Sequence, residues 1–432
     1  MLSVIGFLSV ILLVVLLLSG KISLPPVLIL LPIIAALVCG FGIPQIAGFI
    51  NTGLRSVLNT AALFTFSVIF FNAMGDVGMF DLIVSKLLKV IGNRVPLILL
   101  LTCMVAFISH LDGSGATTML ITIPTMLPLF KKMNIKNTML LFYVGAVSGI
   151  VNMLPWTSAV LRLSSSTGLD AYSVYQAVMP VQVVGLIIMF ASCFPVGKYL
   201  QKKGCGMSDE EFEQIKAGMQ KEAVIPVSRG ILIFDMVFTL ALIVCMLFGL
   251  VSANVGFMLA LAIALPINFR NPKDQVAQIK KHGSNALYMI MIIFSIGVLV
   301  GIMGDSGMMS AMTDTLIGVM PESLGSHLPF ILCVISVPLS MCVGSDAVYM
   351  VMAPILGNMT MAFGGTMMQA GTALMIGSCL SANLSLVGPT PYLALGLAEC
   401  EMKDHLKANF LPTWILGIIL AISAVLFGLF PF

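Results

Sequence analysis

Ten apolar runs, separated by short polar segments, set the pattern of this chain: about 2–19, 25–42, 58–74, 138–163, 178–199, 231–250, 255–269, 286–303, 371–397 and 411–430. Each is near the ~20 residues that carry a helix across a bilayer. Two more apolar stretches, 96–130 and 328–356, are interrupted near their middles. The interruptions are Ser109-His110-Leu111-Asp112-Gly113-Ser114-Gly115 and Gly344-Ser345-Asp346. Limbs of about 13–15 residues are short for a crossing, so these stretches read as re-entrant hairpins. Irregular backbone at membrane depth is tolerated only where protein or a water-filled cavity lines it. The run at 2–19 lacks a basic leader and a small-residue cleavage site, and reads as a retained span rather than a signal peptide.

Polar connectors complete the pattern. Residues 80–92 and 270–284 read as amphipathic or loop segments at the inner surface. Residues 201–229 form the long soluble linker, where Ser208-Asp209-Glu210-Glu211 reads as a capping box opening a short helix.

The pattern repeats. Met74-Gly75-Asp76-Val77-Gly78-Met79 returns 229 positions later as Met303-Gly304-Asp305-Ser306-Gly307-Met308. Asp112 and Asp346 follow 234 apart, and Pro155 and Pro389 are again 234 apart. Charge orients the two copies. With the N-terminus outside and both hairpins returning to their side of entry, 19 of the 21 Lys and Arg fall in inner loops, and only Arg55 and Arg162 do not. This is the positive-inside bias. The first hairpin then enters from the cytoplasm and the second from outside. The expected fold is an all-α polytopic membrane protein of two inverted repeats, 1–200 and 230–432, each with five transmembrane spans and one re-entrant hairpin. Both termini lie outside a cell membrane.

Composition narrows the function. Of 432 residues 59% are hydrophobic and 9% charged, and the net charge of +3 gives no basis for nucleic-acid binding. Nine scattered cysteines read as small buried hydrophobes. Gly113-Ser114-Gly115 is not a phosphate loop, because no Gly-Lys-Ser/Thr follows. No nucleotide fingerprint or catalytic triad occurs, and only His110 with Asp112 approaches a nucleophile–base pair, so neither an ATP-driven pump nor an enzyme is expected. Paired inverted hairpins favour alternating access over a channel.

The candidate chemistry sits at the tips and at two proline breaks. A carboxylate at membrane depth costs at least ~2.5 kcal/mol, so Asp112 and Asp346 are candidates for proton or cation coupling and for holding a metal; capping of the adjacent short helices is the competing role. Asn152-Met153-Leu154-Pro155-Trp156-Thr157-Ser158 interrupts one span, and Ser385-Leu386-Val387-Gly388-Pro389-Thr390-Pro391 interrupts its counterpart. Broken helices in corresponding positions mark transport sites. The candidate substrate ligands are Ser114, Gly115, Thr117, Asn152, Pro155, Thr157, Arg162, Ser345, Pro389 and Thr390. Arg162 either grips a carboxylate or snorkels to headgroups. Asp76 and Asp305 read as capping or packing groups, with cation binding as the alternative. His110 either relays protons or bonds a carbonyl. Asp404 and His405 are placed in a cytoplasmic loop. No permanently bound cofactor is expected.

At these residues the chain resembles the citrate–metal:proton symporters, a branch of the ion transporter superfamily that includes the divalent anion:sodium symporters. The resembling strings are Leu111-Asp112-Gly113-Ser114-Gly115-Ala116-Thr117-Thr118, Pro155-Trp156 with Arg162, Asp346-Ala347-Val348-Tyr349, and Tyr392-Leu393-Ala394-Leu395-Gly396-Leu397-Ala398 followed by Asp404-His405. The resemblance implies proton-driven uptake of citrate, usually with Mg2+ or Ca2+, by a homodimer with elevator-type motion, and it implies a carboxylate ligand at Arg162. The chain departs from the family pattern at Ser114, where a second acid is expected, at Gly344-Ser345, where an asparagine is missing, and at Thr157-Ser158, where a Gly-Gly pair is expected. A sodium-coupled organic anion symporter or an inorganic-ion antiporter is the alternative on the same scaffold.

Overall fold

The computed structural model describes residues 1–19, 21–79, 92–218, 227–247, 250–318, 322–386 and 389–432, which form helices and no strand. The expected connector at 80–92 lies almost wholly outside the described residues, as do Val387 and Gly388 of the second break. Helices α1 (Leu2–Ser19) and α2 (Leu24–Val38) lead into α3 (Ile43–Asp76). The first hairpin is α4 (Val95–Ser109), a 3₁₀ turn (His110–Asp112) and α5 (Gly115–Lys132). One broken span follows as α6 (Asn137–Val151) and α7 (Ser158–Thr167), then α8 (Ala171–Lys202) and the linker helix α9 (Asp209–Gly218). The rest runs α10 (Arg229–Leu247), α11 (Ala253–Asn268), α12 (Pro272–Asp305) and α13 (Met308–Ile317). The second hairpin is α14 (Leu328–Val343), a bend at Gly344, a π-helical turn (Val348–Met352) and α15 (Ala353–Ala362). The second broken span is α16 (Met367–Ser381) and α17 (Pro389–Ala398), and α18 (Met402–Leu426) ends the fold. Among the described residues, six segments are long and apolar enough to cross a membrane. Large apolar side chains such as Leu30, Ile187, Val237 and Leu240 are exposed, as a lipid solvent permits.

Helices α3 and α12, 34 residues each, pack antiparallel against one another. Gly53, Gly297 and Gly301 make the crossing close: a Cβ on Gly53 would lie 1.9 Å from the Gly297 carbonyl oxygen. Small residues four apart let membrane helices approach through their backbones. At one end Asp76 accepts from Lys281 Nζ at 2.5 Å and lies 2.9 Å from His282 Nε2. Asp76 is therefore an interhelix ion-pair partner, while Asp305 is exposed. Residues 272–284, expected as a connector, are instead the first turns of α12. Asn271 caps Lys273 N at 3.1 Å and Pro272 opens the helix. Hydropathy marks only the lipid-embedded part of a helix, and a helix of 34 residues is about 51 Å long, well beyond the ~30 Å hydrocarbon core.

At the first tip α4 and α5 turn back on one another. Ser109 Oγ on α4 lies 2.9 Å from Thr122 Oγ1 on α5, and Gly113 takes φ 74° at the tip, where a side chain would be strained. The limbs of the second hairpin are bridged by α16, which packs on both. The capping box forms: Glu211 N donates to Ser208 Oγ at 3.3 Å and Ser208 N to Glu211 Oε2 at 3.1 Å. Glu211 also pairs with Lys132 at 2.9 Å, tying α9 to the first hairpin.

Candidate functional site

Both proline breaks are real interruptions. At the first, the helix stops at Val151 and restarts at Ser158. Thr157 Oγ1, fully buried, donates to the carbonyls of Asn152 at 2.6 Å and Leu154 at 2.8 Å, satisfying groups that the break frees. Trp156 fixes the turn in place. Its ring packs against Phe71 and Phe257 at 5.8 and 5.2 Å, and its Nε1 donates to Leu111 O at 2.8 Å. The first break and the first tip are thus one unit, and Gly113 is pressed so near Thr157 that a Cβ would lie 3.2 Å from Thr157 Cα. At the second break α16 gives way to a 3₁₀ turn (Ala382–Leu384) before α17 begins.

The tips and breaks enclose a cavity of about 570 Å³. That volume lies inside the ~300–1,000 Å³ range of small-molecule sites. His110, Gly115 and Ala116 face it from the first tip, and Ser148, Asn152, Ser158 and Arg162 from the first broken span. Gly344, Ser345, Asp346 and Tyr349 face it from the second hairpin, and Asn383, Ser385 and Thr390 from the second broken span. Tyr288 and Met289 of α12 complete the wall. Of the expected ligands, Gly115, Asn152, Arg162, Ser345 and Thr390 line the cavity together with Asp346.

The other expected residues support it. Ser114 caps α5, its Oγ accepting from Thr117 N at 3.3 Å and Thr117 Oγ1 at 3.0 Å. Pro155 is buried in its turn, and Pro389 opens α17. Asp112 is buried behind the tip rather than in the wall. Its Oδ1 accepts from Ser114 N at 2.8 Å, and its buried Oδ2 has no hydrogen-bond partner among the described residues.

Arg162 and Asp346 are the oppositely charged pair of the wall. Arg162 Nη1 lies 2.5 Å from Asp346 Oδ1, joining the first broken span to the second tip. The guanidinium is mostly covered, with 15% exposure, while the carboxylate is 39% exposed. Arg162 Nη2 also contacts Met289 Sδ at 3.6 Å, and its buried Nε has no partner among the described residues. His110 Nδ1 is held by Thr118 Oγ1 at 2.7 Å, leaving its buried Nε2 and the buried Asn152 Oδ1 unpartnered at the cavity wall.

Helix ends dominate the remaining chemistry. The N-termini of α5, α7 and α17 reach the cavity at Gly115, Ser158 and Thr390. Their free amides and dipoles favour an anion. The C-terminal ends of α6 and α14 reach it at Asn152 and Gly344, and the negative end of a helix dipole favours a cation.

Asn383, which the residue pattern did not single out, joins the two breaks. Its Nδ2 donates to Ser148 Oγ at 3.0 Å and Gly145 O at 3.2 Å. His405 supports it from behind, with Nε2 3.0 Å from Asn383 O and Nδ1 accepting from Asn409 at 2.8 Å. The expected loop position of His405 is therefore corrected: it is buried on α18. The available signal was Asn and Ser between the apolar run and Pro389.

A family profile described as citrate transporter matches residues 14–377. A citrate transporter of Bacillus subtilis (strain 168) is 30% identical, with 100% of both chains covered. A Mg(2+)/citrate complex secondary transporter of the same organism is 30% identical, with 98% of each covered. Among solved structures, the Alcanivorax borkumensis YdaH transporter superposes with a TM-score of 0.59 at 12% identity, over 90% of this chain and 89% of its own. Neisseria gonorrhoeae MtrF, from a class of antimetabolite efflux pumps, gives 0.61 at 14% identity, over 89% and 84%. At those identities the likeness is one of fold.

Proposed function

Because the chain belongs to the citrate transporter family, we propose that it is a secondary transporter of citrate or a closely related di- or tricarboxylate, carried with a divalent ion and driven by protons. The observation that carries this reading is the cavity in which Arg162 and three helix N-termini face the same space as Asp346 and two helix C-termini. That arrangement offers one set of groups to carboxylates and another to a cation. Asp112, buried beside the first tip with one oxygen unpartnered, is assigned to proton coupling. Asp346 is assigned to the divalent ion.

The architecture we propose is a pair of inverted repeats working by elevator-type motion in a homodimer. Three observations support the inversion: α3 and α12 have equal length, end on the same string, and cross antiparallel. Contacts between residues expected on one face support the topology. Lys131 pairs with Glu399 at 2.6 Å and Lys132 with Glu211, all expected inside. At the other end Ser3 meets Thr315 at 2.7 Å and His327 meets Phe432, all expected outside.

Uptake of citrate into proteoliposomes under an inward proton gradient, with and without magnesium, tests the reading. Accumulation that follows the proton gradient is expected. Uptake that requires sodium and ignores pH places the protein with the sodium-coupled alternative instead. Asp112→Asn keeps an oxygen for the Ser114 amide but removes the ionisable group, so proton-driven accumulation is expected to be lost while downhill exchange continues. An unchanged proton dependence in that variant removes the role given to Asp112.

A further inference from the structure

We infer that Asp346 sets the preference for metal-complexed over free carboxylate, by occupying Arg162 until a complex arrives that satisfies both charges at once. The inference rests on the carboxylate reading above. Arg162 is mostly covered, and its charge partner is Asp346 at 2.5 Å. A free carboxylate that takes Arg162 must displace Asp346 and leave that carboxylate, at membrane depth, facing a second anion. Breaking such a pair strands an uncompensated charge. A metal–carboxylate complex avoids that cost by exchange: the substrate carboxylate goes to the guanidinium, and the metal goes to Asp346. The geometry suits such an exchange. Asp346 is 39% exposed and lines the cavity, and the negative dipole end of α14 lies beside it at Gly344. Hard divalent cations take carboxylate oxygens such as those of Asp346. Once Asp346 releases Nη1, the planar fork of Arg162 can hold a carboxylate by two bonds.

The exchange also bears on two features of this chain. The second tip offers Ser345 rather than an amide beside the acid, so the carboxylate of Asp346 is the anionic group of that tip. Met289, a soft and weakly polar contact, backs Arg162 on its other side, and among the described residues Asp346 is the carboxylate paired with the guanidinium.

The experiment is calorimetric binding of trisodium citrate to the purified full-length protein, with and without saturating magnesium, for the wild type, Asp346→Asn and Asp346→Glu. In the wild type magnesium is expected to tighten citrate binding about tenfold or more, which is about 1.4 kcal/mol. In Asp346→Asn free citrate is expected to bind better than in the wild type, and the magnesium effect is expected to fall to about twofold or less. Asp346→Glu keeps the charge and is expected to retain the magnesium effect. Thermal melts report folding, and Asp346→Ser, with a smaller side chain, carries the same expectation should the asparagine variant fail to fold. An Asp346→Asn protein with wild-type magnesium dependence overturns the exchange alone. A wild-type protein that binds no carboxylate, with or without magnesium, overturns the transport reading and the exchange with it.

Discussion

Arg162 and Asp346 lie 184 residues apart in the chain and meet at 2.5 Å. Nothing local to either residue announces the other. Arg162 sits in a short helix after a proline break, where a headgroup anchor and a ligand are equally consistent with its neighbours. Burial separates them: at 15% exposure Arg162 lines the cavity beside an aspartate, the position that the proposed ligand role requires. Arg162→Lys separates charge from geometry. A lysine retains the positive charge but is a point charge without the two-pronged fork. The variant is expected to weaken citrate binding about tenfold, about 1.4 kcal/mol, while melting at nearly the wild-type temperature. Unchanged affinity would show that charge alone suffices. The aspartates at the tips and the prolines at the breaks were legible because each interrupts an apolar run. Asn383 and His405 were not, because a single polar residue near a helix end looks the same whether it faces a loop, a lipid or a partner 235 residues away.

Helix lengths show where hydropathy stops being informative. It located the lipid-embedded part of α12 but not the turns from Pro272 onward, which are polar and largely exposed, open at the Asn271 cap and are tied to α3 through Lys281 and His282. Gly53 tests the importance of that crossing. A methyl there would approach the Gly297 oxygen to 1.9 Å, and rigid backbone cannot yield as a side chain end does. Gly53→Ala is expected to cost about 1–3 kcal/mol as overpacking, read as a lower melting temperature in detergent; an unchanged melt would mean that the two helices part easily. The linker helix α9 is held more lightly. A hydrogen bond from Lys132 holds the Glu211 carboxyl below its ordinary range. A depressed folded-state value means that this docking is present above the unfolded value, about 4.3, and is lost as pH falls through the folded one. Because both partners are solvent-exposed the effect is modest. Glu211→Gln is expected to raise the rate of proteolytic nicking around α9 at neutral pH and to abolish its dependence on mild acid. A wild-type nicking profile in that variant would show that other contacts seat the helix.

The whole fold resolves into two ends and a central cavity, and transport requires the cavity to reach the ends one at a time. Residues expected inside meet one another, as Lys131 meets Glu399, and residues expected outside do the same, as Ser3 meets Thr315. Contacts of this kind group the loops by face without reference to a membrane. Between the faces, the tips of both hairpins abut the same cavity, and in the proposed elevator-type motion both tips would move relative to α3. Ala116 is suited to follow that movement, because it is exposed, lines the cavity and is small. With the nine native cysteines replaced, Ala116→Cys in oriented vesicles is expected to react with a membrane-impermeant maleimide from one face in the absence of substrate. Magnesium citrate is expected to slow that reaction and to expose the residue to reagent supplied from the other face. Alternation is expected on the proposed reading, because a cavity open to both faces would be a pore and would dissipate a driving gradient. Equal and simultaneous labelling from both faces, unaffected by substrate, would identify a channel and overturn alternating access for this chain.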